Sequence, residues 1–239
     1  MSEFPASLQR WLQSPLAQSL IEAEAQLLTE AFDNAYGPEL LQLGPWGACR
    51  KLLTASRNRR QSVLARAAVP GYVDVQARLS QLPVAAGSID VVLLPHTLEW
   101  SSDPQAVLRE ADRVLVGEGQ IIVLGFAPLG PWGLRSLCSR GGFPPGLKRL
   151  LSERRLRDWL GVLGFEVAAP RPYLYRWPLQ SNGGEGGSAP MLRRGLFNPW
   201  PAGAYLLKAR KRIYGMTPLR QRWREQRRGV LGGLVEPST

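Results

Sequence analysis

The chain has 239 residues, of which 44% are apolar and 21% are charged, a composition that is typical of a globular protein and excludes a fully disordered one. No run approaches the roughly 18 apolar residues of a membrane-spanning helix, and no signal segment is visible, so we expect a cytoplasmic protein without a membrane span. The net charge is +11, and the single histidine, with cysteines that lack metal-ligand spacing, predicts no metal site.

The first predicted elements are a helix, a strand and a second helix. Ser14 is a typical N-cap and Pro15 suits the first helical position, so a helix is predicted from there to Gly37. Residues 39–44 form a short apolar run that ends in glycine, which predicts a buried strand. A helix is expected over residues 47–56.

The next two strands are predicted to form an antiparallel hairpin. Residues 62–67 and 72–76 are strand-like, and a Pro70-Gly71 turn lies between them. Because a parallel crossover usually requires a dozen or more residues, the helix between these strands is expected to be missing.

The second half of the chain alternates apolar strands with amphipathic helices, which predicts a doubly wound, mostly parallel sheet with helices on both faces. Asp103 and Pro104 open the clearest of these helices. In chain order, the predicted elements are a strand at 89–94, a helix from 104, a strand at 120–126, a helix at 152–163, and strands at 165–167 and 204–209.

The sequence divides into three predicted regions. Residues 1–37 form a helical segment, residues 38–213 the α/β domain, and residues 214–239 a basic tail that is expected to be disordered. The segment Lys208–Arg228 carries nine basic residues against one acid, Glu225. It is a candidate for binding RNA or another polyanion through phosphate contacts, and a purely solvating role is the alternative.

The run from Leu82 to Phe126 resembles the type 11 methyltransferases, a branch of the class I S-adenosylmethionine-dependent methyltransferase family. The resemblance depends on Leu82-Pro83, Asp90, Asp103-Pro104, Arg113-Val114-Leu115 and Gly117-Glu118-Gly119. It implies a Rossmann-like fold, in which the ligand lies beyond the carboxyl ends of the strands at the point where the strand order reverses. It also implies S-adenosylmethionine as cofactor and an unknown methyl acceptor.

The cofactor loop departs from the family pattern, Asp-x-Gly-x-Gly-x-Gly. The aligned residues run from Gln42 to Ala48, with Gln42 in place of the acid and Trp46 in place of the second glycine. Gly44 is in register and Gly47 is one position off. A tryptophan at this position is large enough to fill the space of the cofactor itself.

The resemblance also assigns residues outside that loop. Arg78 occupies the position of the family's acid after strand 3, and Leu79 and Pro95 are assigned to the cofactor site by position in the pattern. His96 and Glu99 follow strand 4, where the family places groups that face the substrate, so His96 is a candidate general base. The alternative for both is an ordinary loop side chain.

Two hypotheses about function follow from these observations. The first is an S-adenosylmethionine-dependent methyltransferase of unknown acceptor, in which Gln42, Gly44, Trp46, Gly47, Arg78, Leu79 and Pro95 hold the cofactor. The second is a catalytically inactive protein of the same fold that binds a protein or polyanionic partner. The altered loop and the basic tail favour the second, and the resemblance favours the first.

Overall fold

A computed structural model describes residues 5–67, 69, 71–139, 141–175, 177–178 and 201–212. The chain begins with two helices, α1 (Ala6–Leu12) and α2 (Pro15–Phe32). Ser14 caps α2 as predicted, since its side chain accepts a hydrogen bond from the Ala17 N–H at 3.3 Å. Within the described ranges, none of the helices has the length and apolar character that crossing a bilayer requires.

The remaining helices and strands form the α/β part of the chain. They are β1 (Glu39–Leu43), a 3-10 helix (Ala48–Leu53), β2 (Arg60–Ala65), β3 (Val75–Gln76), β4 (Ile89–Pro95), α3 (Thr97–Trp100), α4 (Pro104–Val114), β5 (Leu115–Phe126), α5 (Pro131–Cys138), α6 (Glu153–Val162), β6 (Phe165–Val167), β7 (Arg171–Tyr173) and β8 (Ala204–Lys211).

The strands join in one sheet with the order β3-β2-β1-β4-β5-β8-β6, and β7 pairs with β8 off this path. The pairs among β1 to β5 are parallel, and β8 is antiparallel to its neighbours. The predicted doubly wound, mostly parallel α/β fold is therefore confirmed. The chain moves outward from β1 to β3 and then returns to the other side of β1 with β4, so the strand order reverses between β1 and β4.

Both faces of the sheet are buried, as the continuous apolar strands predict. Along β4, Val91 and Leu93 face one core together with α1 and α2, while Val92 and Leu94 face a second core together with α4 and α6. This alternation follows from the two-residue period of a strand. The helices α1 and α2 thus pack directly on one face of the sheet, against β1 and β4, the two strands between which the strand order reverses.

The predicted antiparallel hairpin is wrong, because β2 and β3 pair in parallel with Leu64 opposite Val75. The described residues between the two strands form no helix, as predicted, but the chain doubles back before β3 begins. Asp74 makes this possible: its N–H donates to Val63 O at 2.9 Å, and its Oδ2 accepts from the Val63 N–H at 2.8 Å. A crossover this short is possible because β3 contains just two residues.

The first three basic residues of the Lys208–Arg228 segment lie in β8, and Arg212 follows this strand directly, so these four residues do not belong to a tail. Lys208 donates to the Ala31 carbonyl at 2.8 Å, and Lys211 pairs with Asp112 at 2.9 Å. Arg210 pairs with Glu118 at 2.9 Å, and Arg212 pairs with Glu166. Residues 213–239 lie outside the described residues, so a basic tail and its binding to a polyanion stay predictions.

Candidate functional site

The turn after β1 lies at the switch point of the sheet and contains two glycines in the left-handed region. Gly44 has a φ of 97° and Gly47 a φ of 75°. At Gly47 a Cβ atom would lie 2.8 Å from Leu52 Cγ, so glycine is required there for both its backbone conformation and its size. The buried strand therefore ends in a tight turn that leads into the 3-10 helix.

Gln42, which replaces the family's acid, holds this turn together. Its side chain is fully buried, and Nε2 lies 2.9 Å from both Gly44 O and Trp46 O and 2.6 Å from Tyr72 Oη. Tyr72 donates its hydroxyl to Trp46 O at 2.5 Å. Gln42 Oε1 is buried and has no hydrogen-bond partner among the described residues.

The side chain of Trp46 is completely buried at the carboxyl ends of the central strands. Its ring centroid lies 4.6 Å from that of His96, 5.6 Å from Trp100 and 6.1 Å from Phe126. The indole N–H donates to Glu24 Oε2 on α2 at 2.7 Å. The indole therefore crosses from the turn after β1 to the ends of β4 and β5.

His96 follows β4 and lies between two carboxylates. Its Nε2 is 2.7 Å from Glu24 Oε1, and its Nδ1 is 3.0 Å from Glu99 Oε2. Tyr173 donates its hydroxyl to Glu24 Oε1 at 3.1 Å, and Glu99 Oε1 accepts from the Phe126 N–H at 2.5 Å. The exposed fraction of each of the three charged side chains is at most 1%, so solvent does not screen their interactions.

The two carboxylates determine the protonation of His96. Burial by itself lowers the pKa of His96, but the charges and hydrogen bonds of Glu24 and Glu99 outweigh burial and raise this pKa from 6.5 to about 9. Burial also raises the pKa of Glu99, against the hydrogen bonds from His96 and Phe126 that lower it. A raised pKa favours the imidazolium form of His96 at neutral pH, in which both ring nitrogens donate to the carboxylates, and its role as a general base stays a prediction.

The structure brings most of the predicted site residues together. The turn residues Gln42, Gly44, Trp46 and Gly47 meet the end of β4 at Pro95, because Thr97 donates its hydroxyl to the Leu43 carbonyl and ties the two strand ends to each other. His96 and Glu99 complete this group.

Two predicted cofactor residues lie apart from it. Arg78 is exposed and pairs in a short bridge with Gln81, so its side chain is not buried in the site. Leu79 is buried in the second core, with Leu41 and Leu43.

Sequence reasoning missed two residues of the site, Glu24 and Tyr173. Glu24 offered one signal: an acid among the buried positions of α2, between Ile21 and Leu28, is unusual unless it is paired. Tyr173 lies in the three-residue strand β7, which has no distinct pattern in the sequence.

S-adenosylmethionine, which the resemblance implies, does not fit this arrangement of side chains. The indole of Trp46 fills the strand ends where the ligand of such a fold lies. The sequence has no acid between Gly44 and Asp74 to accept hydrogen bonds from a ribose at the end of β2. Asp74 itself is occupied by Arg50 and by the Val63 N–H. One feature suggests a polar ligand, the unpartnered Gln42 Oε1.

Comparison with protein families and curated sequences gives a consistent result. A family model described as a methyltransferase domain matches residues 45–123. The uncharacterized protein YafS of Escherichia coli K12 is 36% identical over 169 residues, which cover 70% of this chain and 69% of that protein. The malonyl-[acyl-carrier protein] O-methyltransferase of Laribacter hongkongensis is 36% identical over 124 residues, covering 48% of this chain and 41% of that protein.

Solved structures agree on the fold. A methyltransferase of Thermotoga maritima, described as S-adenosylmethionine-dependent and as a possible histamine N-methyltransferase, superposes with a TM-score of 0.64 at 17% identity. The match covers 85% of this chain and 94% of that one. By its sequence relatives and the matching family model, the chain belongs to the methyltransferase family, and the solved structures show that it has the fold of S-adenosylmethionine-dependent methyltransferases.

Proposed function

We propose that the chain transfers a methyl group from S-adenosylmethionine to an acceptor that approaches the carboxyl edge of β1 and β4. The observation that carries this proposal is the turn with left-handed Gly44 and Gly47, between a buried parallel strand and a helix, where the strand order reverses. Methyl transfer from a sulfonium depends mainly on positioning, so the fold is well suited to it. We expect the reaction to take place in the cytoplasm.

His96 and Glu99 are the groups that we assign to the acceptor side of the crevice. Glu99 is fixed by the Phe126 N–H and orients the imidazole through Nδ1. To accept a proton, His96 must first become neutral, and the charge of Glu24 is the strongest of the interactions that keep it protonated. Loss of its contact with Glu24 would therefore lower the pKa of His96 toward the range of a general base, although Glu99 still raises it.

Calorimetric titration with S-adenosylhomocysteine tests the proposal, because this product of the reaction carries no methyl group to transfer and binds without turnover. We expect saturable binding to the full-length chain, and we expect ATP, which controls for non-specific attraction of a nucleotide to a basic protein, to give no comparable heat. No heat at millimolar S-adenosylhomocysteine, either with the wild-type chain or with Trp46→Gly, would contradict the proposed activity.

A specific observation favours a second candidate, in which the fold binds a partner without catalysis. The polar groups of Trp46 are satisfied inside the protein, since Trp46 O accepts from Tyr72 and the indole N–H donates to Glu24. Under this candidate Trp46 is a permanent part of the core. Trp46→Gly would then lower stability and gain no affinity for S-adenosylhomocysteine.

A further inference from the structure

We propose that Glu24 and Trp46 form a latch that closes the crevice: the indole occupies the place of the cofactor, and the carboxylate holds it there until their contact opens. This inference rests on the proposed function and adds a gate to it. It also makes Glu24 a positioning residue, one that acts through Trp46 and His96.

The carboxylate of Glu24 joins three parts of the crevice. Glu24 Oε2 accepts from the Trp46 indole at 2.7 Å, and Oε1 accepts from His96 at 2.7 Å. Tyr173 adds a third donor at 3.1 Å. These donors come from the turn after β1, from the end of β4 and from β7, so a single side chain of α2 fixes the whole edge.

Glu24 lies on an otherwise apolar buried face of α2. The neighbouring buried positions of α2 are apolar: Leu20, Ile21, Ala23 and Leu28. An apolar residue at position 24 would continue this face, whereas a buried carboxylate is unfavourable unless donors satisfy it. Because the hydrogen-bond donors to Glu24 among the described residues all belong to the crevice, the acid is best explained by the crevice and not by helix packing.

The contacts of Glu24 determine both the position of the Trp46 indole and the protonation of His96. While Glu24 stays in place, the indole fills the strand ends and His96 remains an imidazolium. Withdrawal of Glu24 removes the hydrogen bond that fixes the indole and the charge that holds the proton on His96. The crevice would thus gain room for a ligand, and the pKa of His96 would fall, in one step.

Gln42 Oε1, which has no hydrogen-bond partner among the described residues, lies at the base of the same turn. A buried carbonyl oxygen without a donor is uncommon in a settled core. A ligand amino or hydroxyl group that enters when Trp46 leaves would supply that donor. The polar interior of the turn is therefore complete only in the open state.

The experiment measures S-adenosylhomocysteine binding by calorimetry in matched variants. Trp46→Gly places at this position the glycine of the family pattern, and we expect its Kd to fall at least tenfold below that of the wild type. Trp159→Ala removes a tryptophan of α6, outside the crevice, and should leave the Kd unchanged. Glu24→Gln weakens the latch without changing side-chain size, and we expect it to bind S-adenosylhomocysteine more tightly than the wild type. This variant provides the test if Trp46→Gly fails to fold.

A readout without ligand supports the same test. Trp46→Phe identifies the indole N–H signal of Trp46 in a nitrogen-15 NMR spectrum. We expect that this proton exchanges slowly in the wild type and at least tenfold faster in Glu24→Gln. Unchanged exchange in Glu24→Gln would overturn the latch.

The outcomes separate the latch from the proposed function. Equal Kd values for the wild type and Trp46→Gly would overturn the latch but would not contradict the proposed methyltransferase function. Absence of binding in every folded variant would contradict the proposed function and, with it, the gating role of Trp46.

Discussion

The indole nitrogen of Trp46 lies 2.7 Å from a carboxylate oxygen of Glu24, and neither side chain has measurable exposure to solvent. This contact joins the altered cofactor turn to helix α2. It explains how a methyltransferase-family chain accommodates a tryptophan where the family pattern has a glycine.

The stability of the protein should fall as the pH rises from 6.5 to 9, because His96 has a pKa of about 9 in the folded chain and an ordinary value of 6.5 when unfolded. A raised folded pKa contributes stability that is fully present below 6.5 and is lost as the pH passes the folded value. At about 1.4 kcal/mol per pKa unit, this contribution is on the order of 3 kcal/mol. Urea unfolding at several pH values measures it.

His96→Asn is the control for this pH dependence, since asparagine tolerates the left-handed backbone of His96, with its φ of 54°, and does not titrate. The variant should be less stable and should lose most of the slope between pH 6.5 and 9. If its slope equals that of the wild type, other groups cause the pH dependence and the imidazolium assignment is wrong.

Replacement of Glu24 by alanine should lower the free energy of unfolding by about 3–5 kcal/mol. It leaves the buried imidazolium of His96 with one carboxylate instead of two, and the buried indole N–H of Trp46 without an acceptor. Glu22→Ala is the matched control on the same helix. Glu22 is 57% exposed and lies 4.0 Å from Lys51, so its loss should cost less than about 1 kcal/mol. Similar losses in the two variants would show that Glu24 contributes no more than a surface acid.

The turn after β1 should tolerate no side chain at Gly47. Gly47→Ala combines a left-handed φ of 75° with a Cβ atom 2.8 Å from Leu52 Cγ. Gly71→Ala has nearly the same φ, 74°, and meets no atom within 4 Å. The φ alone costs about 1–2 kcal/mol in each variant, so a greater loss in Gly47→Ala measures the close contact in the turn. Equal losses in thermal or urea unfolding would contradict the described packing.

The sequence predicts most strands and helices of the second half, because their apolar patterns are long and regular, but it does not predict α5 or β7, and β5 begins at Leu115 and not at residue 120. Residues 89–94 are a continuous apolar run apart from Asp90, and they form β4. The hairpin prediction fails because it depends on the loop length and the Pro70-Gly71 turn, which are both local features. Backbone contacts between Asp74 and Val63 allow a parallel pair after a very short crossover, and no local pattern encodes them.

The candidate site was predictable to the extent that its residues follow strand ends. Gln42, Trp46, His96 and Glu99 all lie just after or within strands, where ligands of doubly wound folds bind. Glu24 was not predictable in this way, since its hydrogen-bond partners Trp46 and His96 are 22 and 72 residues away in the chain. Tertiary contacts of this range depend on how α2 packs on the sheet.

Mutual exclusion of Trp46 and the cofactor is the central claim, and NMR of the Trp46 indole N–H during titration with S-adenosylhomocysteine tests it most directly. The account predicts that the signal of the Glu24-bonded indole disappears in proportion to ligand binding and is replaced by that of a rapidly exchanging N–H. A saturated complex in which the indole signal keeps its position and its protection from exchange would contradict it.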